Sequence, residues 1–512
     1  MADSVPILTW SDSESHETSN SEKLLPSLDE MIEQRLENFG WKMFLQSFVA
    51  ALVLFFDSQQ SFIGIYTDAN PTWHCVNHTI CSSDSDICKL PKSAWAWDSP
   101  SSNTIISYWG LECANSFTAG LPQSSFFMGS FIGGYILATL ADSSLGRKNL
   151  IFLSSLTMSL ASTAIVFSYS FWIYSALKFF SGFCRSSIAA SIMVLLTEKV
   201  GTKWRFRVGI FAFSSFTLGF LSLPAIAYLN RDSSWKFLYL WTSVPAMFYS
   251  VFAYFFVTES PRWLLMQGRE EEAMAILKGT AAEEGGEDLI LSLLKVNHAK
   301  PESSILNLYS SITQLCAKTW AIKRMLVLMV LAFGIGMVYY GMPLGVGTLG
   351  FNIYLASTFN ALLEVPSFIA IYFLENCRRR TSIFVFTAVS GICSILCVVA
   401  GNGLKGAKIS LELASFFSGC TACNVLNIYI LELFPTCVRS TTMSLVRQAI
   451  ICGAIFGPFL ASAGRKVDIF FYGVLGVIVM CCGLSVVCLP ETKGSTLCDT
   501  MDQQENKESF DV

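Results

Sequence analysis

The chain has 512 residues, 53% of them hydrophobic and 14% charged, with mean hydropathy +0.51 and a formal net charge of −4. A soluble domain carries about 25% charge, so most of this chain does not face water. With no basic run, nucleic acid is excluded as a partner and the lipid bilayer is the expected one. Residues 1–42 form the first element. The first 40 hold nine acids and two bases among many Ser, which predicts a solvated acidic tail. They lack the basic start and apolar core of a cleaved signal peptide, so insertion is expected to begin at an internal span near residue 43.

Apolar runs of about 20 residues, enough to cross a bilayer, begin near 43, 117, 149, 171, 208 and 237. A second set begins near 323, 353, 381, 409, 442 and 470. These are spans 1 to 12. The expected fold is all-α and integral to the membrane, twelve transmembrane helices in two six-helix repeats at 43–257 and 323–489. Between them lies a polar central loop, 258–322, in which "REEEAMAILKG" (269–279) reads as an amphipathic surface helix. Residues 490–512 form a second tail.

The loop between spans 1 and 2, residues 66–116, carries Cys75, Cys81, Cys88 and Cys113 and the one permitted glycosylation sequon, at Asn77. Disulfides and glycans belong on the extracytosolic side, and four cysteines allow three pairings. His74, His78 and these cysteines lack the regular spacing of a zinc site. The short loops after spans 2, 4, 8 and 10 hold Arg147, Lys148, Lys199, Lys203, Arg205, Arg207, Arg378, Arg379, Arg380 and Arg439. That excess of basic residues predicts a cytosolic face carrying both termini.

The charged loops also repeat. Asp142, Glu198 and Glu259 recur as Glu375, Glu432 and Glu491, at offsets of 233, 234 and 232 residues. Ordinary topology signals account for the Arg and Lys residues but not for paired acids at a constant spacing. A duplicated six-helix half accounts for both. Carboxylates near helix ends can pair with Arg or with the positive N-terminus of a facing helix. A gate is therefore expected from Asp142, Arg147, Glu198, Arg205, Glu375, Glu432 and Arg439, opening as the halves rock.

Two parallel six-helix repeats around a central site describe the major facilitator fold. The motifs "PTWHC" (71–75), "ESPRWLL" (259–265), "YYG" (339–341), "LLEVP" (362–366), "ELFPTCVRS" (432–440) and "PETKGSTL" (490–497) carry a resemblance along nearly the whole chain. The sequence resembles the organic ion transporter family, most of all its plant organic cation/carnitine branch. That resemblance implies a secondary-active carrier of a small organic cation or zwitterion, coupled to a proton or sodium ion, in a vacuolar or plasma membrane; the Leu pair in "EKLLP" (22–26) favours the vacuolar one. "ESPR" and "PETKG" also occur in sugar/proton symporters. Those carry a Gln-Gln pair in span 7, whereas Gln59 and Gln60 here lie in span 1. A non-transporting membrane sensor would need a larger cytosolic domain. No catalytic, metal or cofactor set is expected, and "VGTKWR" (200–205) lacks the spacing of a nucleotide-binding loop.

An ionisable residue inside a span is costly and functional by default. Spans 3, 6, 9 and 12 contain none, while Asp57, Arg185, Glu364 and Arg447 lie in spans 1, 4, 8 and 11. At 1.5 Å per residue, Arg185 is roughly 20 Å from Glu198 and Glu364 roughly 16 Å from Glu375, near the midplane. These four, with Tyr339, Tyr340 and Asn424, are the candidate substrate residues. Arg185 and Glu364 could also neutralise each other. Lys178 and Glu412 are expected at the outer interface. The resemblance places the family's selectivity position at Ile451, one turn after Arg447. A carboxylate-bearing zwitterion such as carnitine therefore fits better than a simple cation, its quaternary ammonium held by aromatic faces. All four His lie outside the spans, so a proton relay would use Asp57 or Glu364.

Overall fold

The computed structural model describes residues 40–77, 80–82, 85–141, 145–280, 312–349, 351–374, 376–400, 405–465, 467–493, 498 and 500–510. Twelve helical spans run through them. In the first half they are span 1 (Trp41–Thr67), span 2 (Ser116–Ala141), span 3 (Arg147–Ile165), span 4 (Phe171–Lys199), span 5 (Thr202–Leu229) and span 6 (Trp235–Phe256). The second half supplies span 7 (Thr319–Gly345), span 8 (Ile353–Leu374), span 9 (Arg379–Ala400), span 10 (Lys405–Leu433), span 11 (Arg439–Gly464) and span 12 (Tyr472–Cys488). Eight of these are long and apolar enough to cross a membrane on length and composition. Spans 2, 3 and 6 are helices of 26, 19 and 22 residues, and span 12 is a shorter apolar helix. The central loop holds the expected surface helix, Glu270–Thr280, preceded by an Arg269–Glu272 ion pair at 2.6 Å.

Small residues set the helix packing within each half. A Cβ on Gly129 would lie 1.9 Å from the Phe179 carbonyl oxygen, and one on Gly182 would lie 1.9 Å from that of Phe126. Spans 2 and 4 therefore touch backbone to backbone. Gly336 and Gly453 bring spans 7 and 11 together in the same way, 2.1 Å from the carbonyl oxygens of Ile450 and Phe333. Hydroxyls stitch neighbouring spans: Ser154 to Ser187, Ser155 to Ser250 and Ser162 to Ser181 in one half, Ser390 and Ser394 to Ser415 in the other. Close approach and interhelical hydrogen bonds replace the hydrophobic drive that is missing in lipid. The two halves meet along spans 2 and 11 and along spans 5 and 8.

The loop after span 1 is a small disulfide-bonded module. Strand β1 (Trp73–Cys75) pairs antiparallel with β2 (Trp95–Trp97), and the four cysteines join as Cys75–Cys81 and Cys88–Cys113. This selects one of the three open pairings and leaves no thiolate there for a metal. Its second part sits on spans 4 and 6 through Trp109, whose ring lies 5.4 Å from Tyr174 and 5.7 Å from Trp235. The side carrying this module is the loop face. The opposite side, with residue 40 and the helix Met501–Phe510, is the tail face. That helix docks through Met501 and through Lys318, which pairs with Asp502 and Glu505 at 3.0 and 2.5 Å.

Candidate substrate site and its gates

Repeated acids organise the tail face. Glu259, just after span 6, accepts the Lys148 backbone amide at 3.0 Å, so its carboxylate caps the N-terminus of span 3. Gly146 makes this possible: its φ is +83°, and a Cβ there would lie 2.5 Å from Glu259 Oε2. Burial pushes the Glu259 carboxyl above its ordinary range, against the pull of the Ser260 and Lys148 amides. The second half repeats the arrangement, with Glu491 accepting the Arg379 amide at 2.8 Å at the start of span 9. Arg147 reaches Glu198 at 3.5 Å, and Arg379 reaches Glu432 at 3.2 Å. Thr492 adds a bond to Glu432 at 2.7 Å.

Among the described residues, the expected gate side chains pair within one half. These contacts join spans 3, 4 and 6, or 9, 10 and 12, within one half. Here they tie each half to itself, beside the helix ends of its own repeat. Arg205 is half-buried at the start of span 5, while Arg439 makes no ion pair among the described residues and its Nε is buried without a partner. Asp142 and Glu375 lie outside the described residues.

Contacts between the halves gather on the loop face. Arg465, after span 11, donates to the Asp68 carbonyl at 2.7 Å and to Asn70 Oδ1 at 3.0 Å. The Tyr354 ring lies between those of Tyr66 and Tyr228, at 5.6 and 5.5 Å, and Phe117 stacks on Phe459 at 5.0 Å. The loop face is closed. No sequence motif marked Arg465, the first of two adjacent bases after an apolar run.

Deeper in, four of the expected residues form two separate arrangements. Asp57 and Arg185 make a two-bond pair, Nε to Oδ1 at 2.7 Å and Nη2 to Oδ2 at 2.8 Å, and both are almost wholly buried. The alternative pairing of Arg185 with Glu364 does not form. Glu364 instead accepts the Thr217 hydroxyl at 2.7 Å and the Tyr339 hydroxyl at 2.9 Å, which bridges the halves between spans 5 and 8. Thr217 looked like any span hydroxyl in the sequence; only helix rotation reveals its role.

Arg447 is the exposed valence of the site. Its guanidinium has Tyr340, Arg185, Asp57 and Cys423 as electrostatic neighbours, its Nε is buried without a partner, and no acid pairs with it among the described residues. Tyr340 packs against Phe127 at 5.1 Å, Phe62 at 6.0 Å and Tyr339 at 5.0 Å. Asn424 is used between helices, donating to Ser367 at 3.1 Å. So are the span 1 amides, with Gln59 on Ser222 and Gln60 on Thr242. Lys178 and Glu412, expected at the interface, are 1% and 0% exposed. Depth along a helix was readable, but the rotation that turns both into the bundle was not.

The centre thus offers an unpaired cation, an acid held only by hydroxyls, and aromatic faces. Ions of both signs can be met there without disturbing the Asp57–Arg185 pair. The family model described as "Sugar (and other) transporter" matches residues 38–502. The organic cation/carnitine transporter 2 of Arabidopsis thaliana is 47% identical, across 98% of this chain and 97% of its own. Human solute carrier family 22 member 2 is 29% identical across 85% of this chain and 78% of its own. Among solved structures, the xylose transporter XylE of E. coli in an inward open conformation superimposes with a TM-score of 0.63. It is 16% identical, with 91% of this chain and 98% of that one covered.

Proposed function

The chain belongs to the sugar (and other) transporter family, within its organic cation/carnitine transporters, and on that premise we propose that it carries small organic cations and zwitterions such as carnitine by alternating access. The observation that carries this reading is Arg447, a half-buried guanidinium whose Nε is buried without a partner and which no acid pairs with among the described residues. A carboxylate is the natural partner for its planar donors. Glu364 supplies the opposite charge, and the Tyr340 cluster supplies faces for a quaternary ammonium, which cannot donate hydrogen bonds.

Uptake of labelled carnitine, tetraethylammonium and glucose by cells expressing the chain tests the reading. Carnitine and tetraethylammonium are expected to enter, and each to compete with the other. Entry of glucose alone would replace the proposal with sugar transport. Glu364→Gln is expected to weaken both organic substrates, since both present a positive end. A lost charge-assisted contact of about 1.5–3 kcal/mol corresponds to roughly ten- to hundredfold in affinity, read as a rise in KM at matched surface expression.

The loop face is proposed to be extracytosolic, supported by the two disulfides and by exposed Asn77 beside β1. Asn77→Gln is expected to abolish a glycan-dependent mobility shift; a shift that survives would put a glycan on another segment and overturn this orientation. A vacuolar membrane is proposed from the Leu pair in "EKLLP" (22–26), and a fluorescent fusion found at the cell surface would replace it.

A further inference from the structure

Span 10 carries a second buried acid that the site does not use. Glu412 accepts Asn360 Nδ2 at 3.0 Å through Oε1, and both residues are fully buried. Its other oxygen, Oε2, has no partner, and neither has Asn360 Oδ1. Two acceptors therefore stand on one residue pair, away from water, each without a donor. Buried polar atoms are nearly always satisfied. A single hydrogen removes both deficits. A neutral Glu412 carboxyl can donate from Oε2, and a bond from there to Asn360 Oδ1 would close an acid–amide ring with the Nδ2–Oε1 contact. The ionised carboxylate cannot donate and leaves both atoms bare.

The first half shows what a complete version looks like. Lys178 precedes Glu412 by 234 positions, within the spacing of the repeated acids. Its Nζ donates to Gln123 Oε1 at 2.9 Å, and Gln123 Nε2 donates to the Ser61 carbonyl at 2.8 Å. A charged residue on span 4 or 10 thus meets an amide on span 2 or 8 in both halves. Only the second pair lacks a hydrogen.

Other titratable groups around Glu412 do not supply it. On its own helix, Lys408 directs its ammonium 5.7 Å from the Tyr472 ring of span 12, and the Cys397 thiol of span 9 donates to the Lys408 carbonyl. Span 8 presents Glu364 one turn beyond Asn360, already held by Thr217 and Tyr339. Span 7 presents Tyr339, whose ring stacks on Phe416, one turn beyond Glu412, at 6.3 Å. Among the described residues no base lies within ion-pair distance of Glu412, and no group of three metal-ligating side chains is present.

We propose that Glu412 is the site of the proton that this carrier moves with its substrate, held between Glu412 and Asn360 while the loop face is closed. Loading forms an O–H bond at Oε2 with a proton from loop-face water. Release breaks that bond, the electron pair stays on the carboxylate, and the proton leaves to water. Because the closed arrangement needs the hydrogen, closure favours the protonated carrier, and the ionised empty carrier remains open. Substrate and proton are linked through this shared preference.

The proposal rests on the carrier reading above, so its test measures exchange and net uptake separately, in vesicles loaded with carnitine or empty. The wild type is expected to take up carnitine faster as the loop-face medium is acidified. The limit is about tenfold per pH unit, as for one linked proton, and the outer medium should turn alkaline as substrate enters. Glu412→Gln keeps both ring bonds with an amide hydrogen. It is expected to exchange carnitine for carnitine at the wild-type rate, with net uptake independent of pH and no alkalinisation. If that variant does not reach the membrane, modification of wild-type Glu412 by a hydrophobic carbodiimide, followed by mass spectrometry, serves instead. It is expected to rise as pH falls. Proton movement that persists in Glu412→Gln, pH-independent net uptake by the wild type, or carbodiimide labelling that does not change with pH would each overturn the proposal. So would uptake that follows sodium at constant pH. A wild type that neither exchanges nor accumulates any organic cation would instead remove the carrier reading on which it rests.

Discussion

Asp57→Ala is expected to destabilise the protein by about 3–5 kcal/mol, the cost of leaving one partner of a buried pair without its counter-charge. The Arg185 guanidinium would remain in the bundle with two bonds removed, and its Nη1 already lacks a partner. The nearby Phe126 ring, 5.4 Å away, offers only a weaker cation–π contact. Thermal unfolding of the purified protein in detergent is the measurement. The double variant Asp57→Ala, Arg185→Met is expected to recover most of the loss, since replacing both charges removes the uncompensated one. If the single variant unfolds like the wild type, Arg185 has found another acid and the pair is not structural.

Arg447→Ala is expected to separate two substrates that share a cation. Carnitine presents a carboxylate, and tetraethylammonium does not. Loss of a charge-assisted contact of about 1.5–3 kcal/mol should weaken carnitine roughly ten- to hundredfold and leave tetraethylammonium nearly unchanged. Arg447→Lys should recover only part of the loss, because an ammonium cannot make the planar two-bond contact. Inhibition constants for both substrates, taken at matched surface expression, decide the matter. Equal losses would give Arg447 a packing role and pass the carboxylate to Arg185.

Much of the architecture was legible because it depends on composition and spacing. Spans are counted from apolar length, and a repeat is found from offsets. Glu259 and Glu491 on the N-termini of spans 3 and 9 follow from the same offsets, since an acid near a helix start has a ready partner in the exposed amides. The partnerships of the buried charges were less accessible. Asp57 and Arg185 are 128 residues apart, and which acid Arg185 meets depends on how spans 1, 4 and 8 are rotated. Rotation also explains Lys178 and Glu412: both are buried in the bundle instead of lying at the interface. The loop-face contacts between the halves were not legible for a similar reason. The tail-face acids announce themselves by repetition, whereas Arg465, Tyr354 and Phe117 are unrepeated residues whose importance comes from what lies across the gap.

The glycine seams have a mechanical consequence. Helices that touch backbone to backbone, as spans 2 and 4 do at Gly129 and Gly182 and spans 7 and 11 at Gly336 and Gly453, cannot slide past one another without breaking that fit. Each half then behaves as a stiff lever about as long as the bilayer core is thick, about 30 Å, with its fulcrum near the middle. Displacement is smallest at the fulcrum and grows toward the tips. A shift of a few tenths of an ångström around Glu364 and Arg447 is amplified into a much larger swing at Tyr354 and Arg465. The centre is therefore the position of greatest mechanical advantage, and a ligand there can turn a slight tightening into an exchange of open ends.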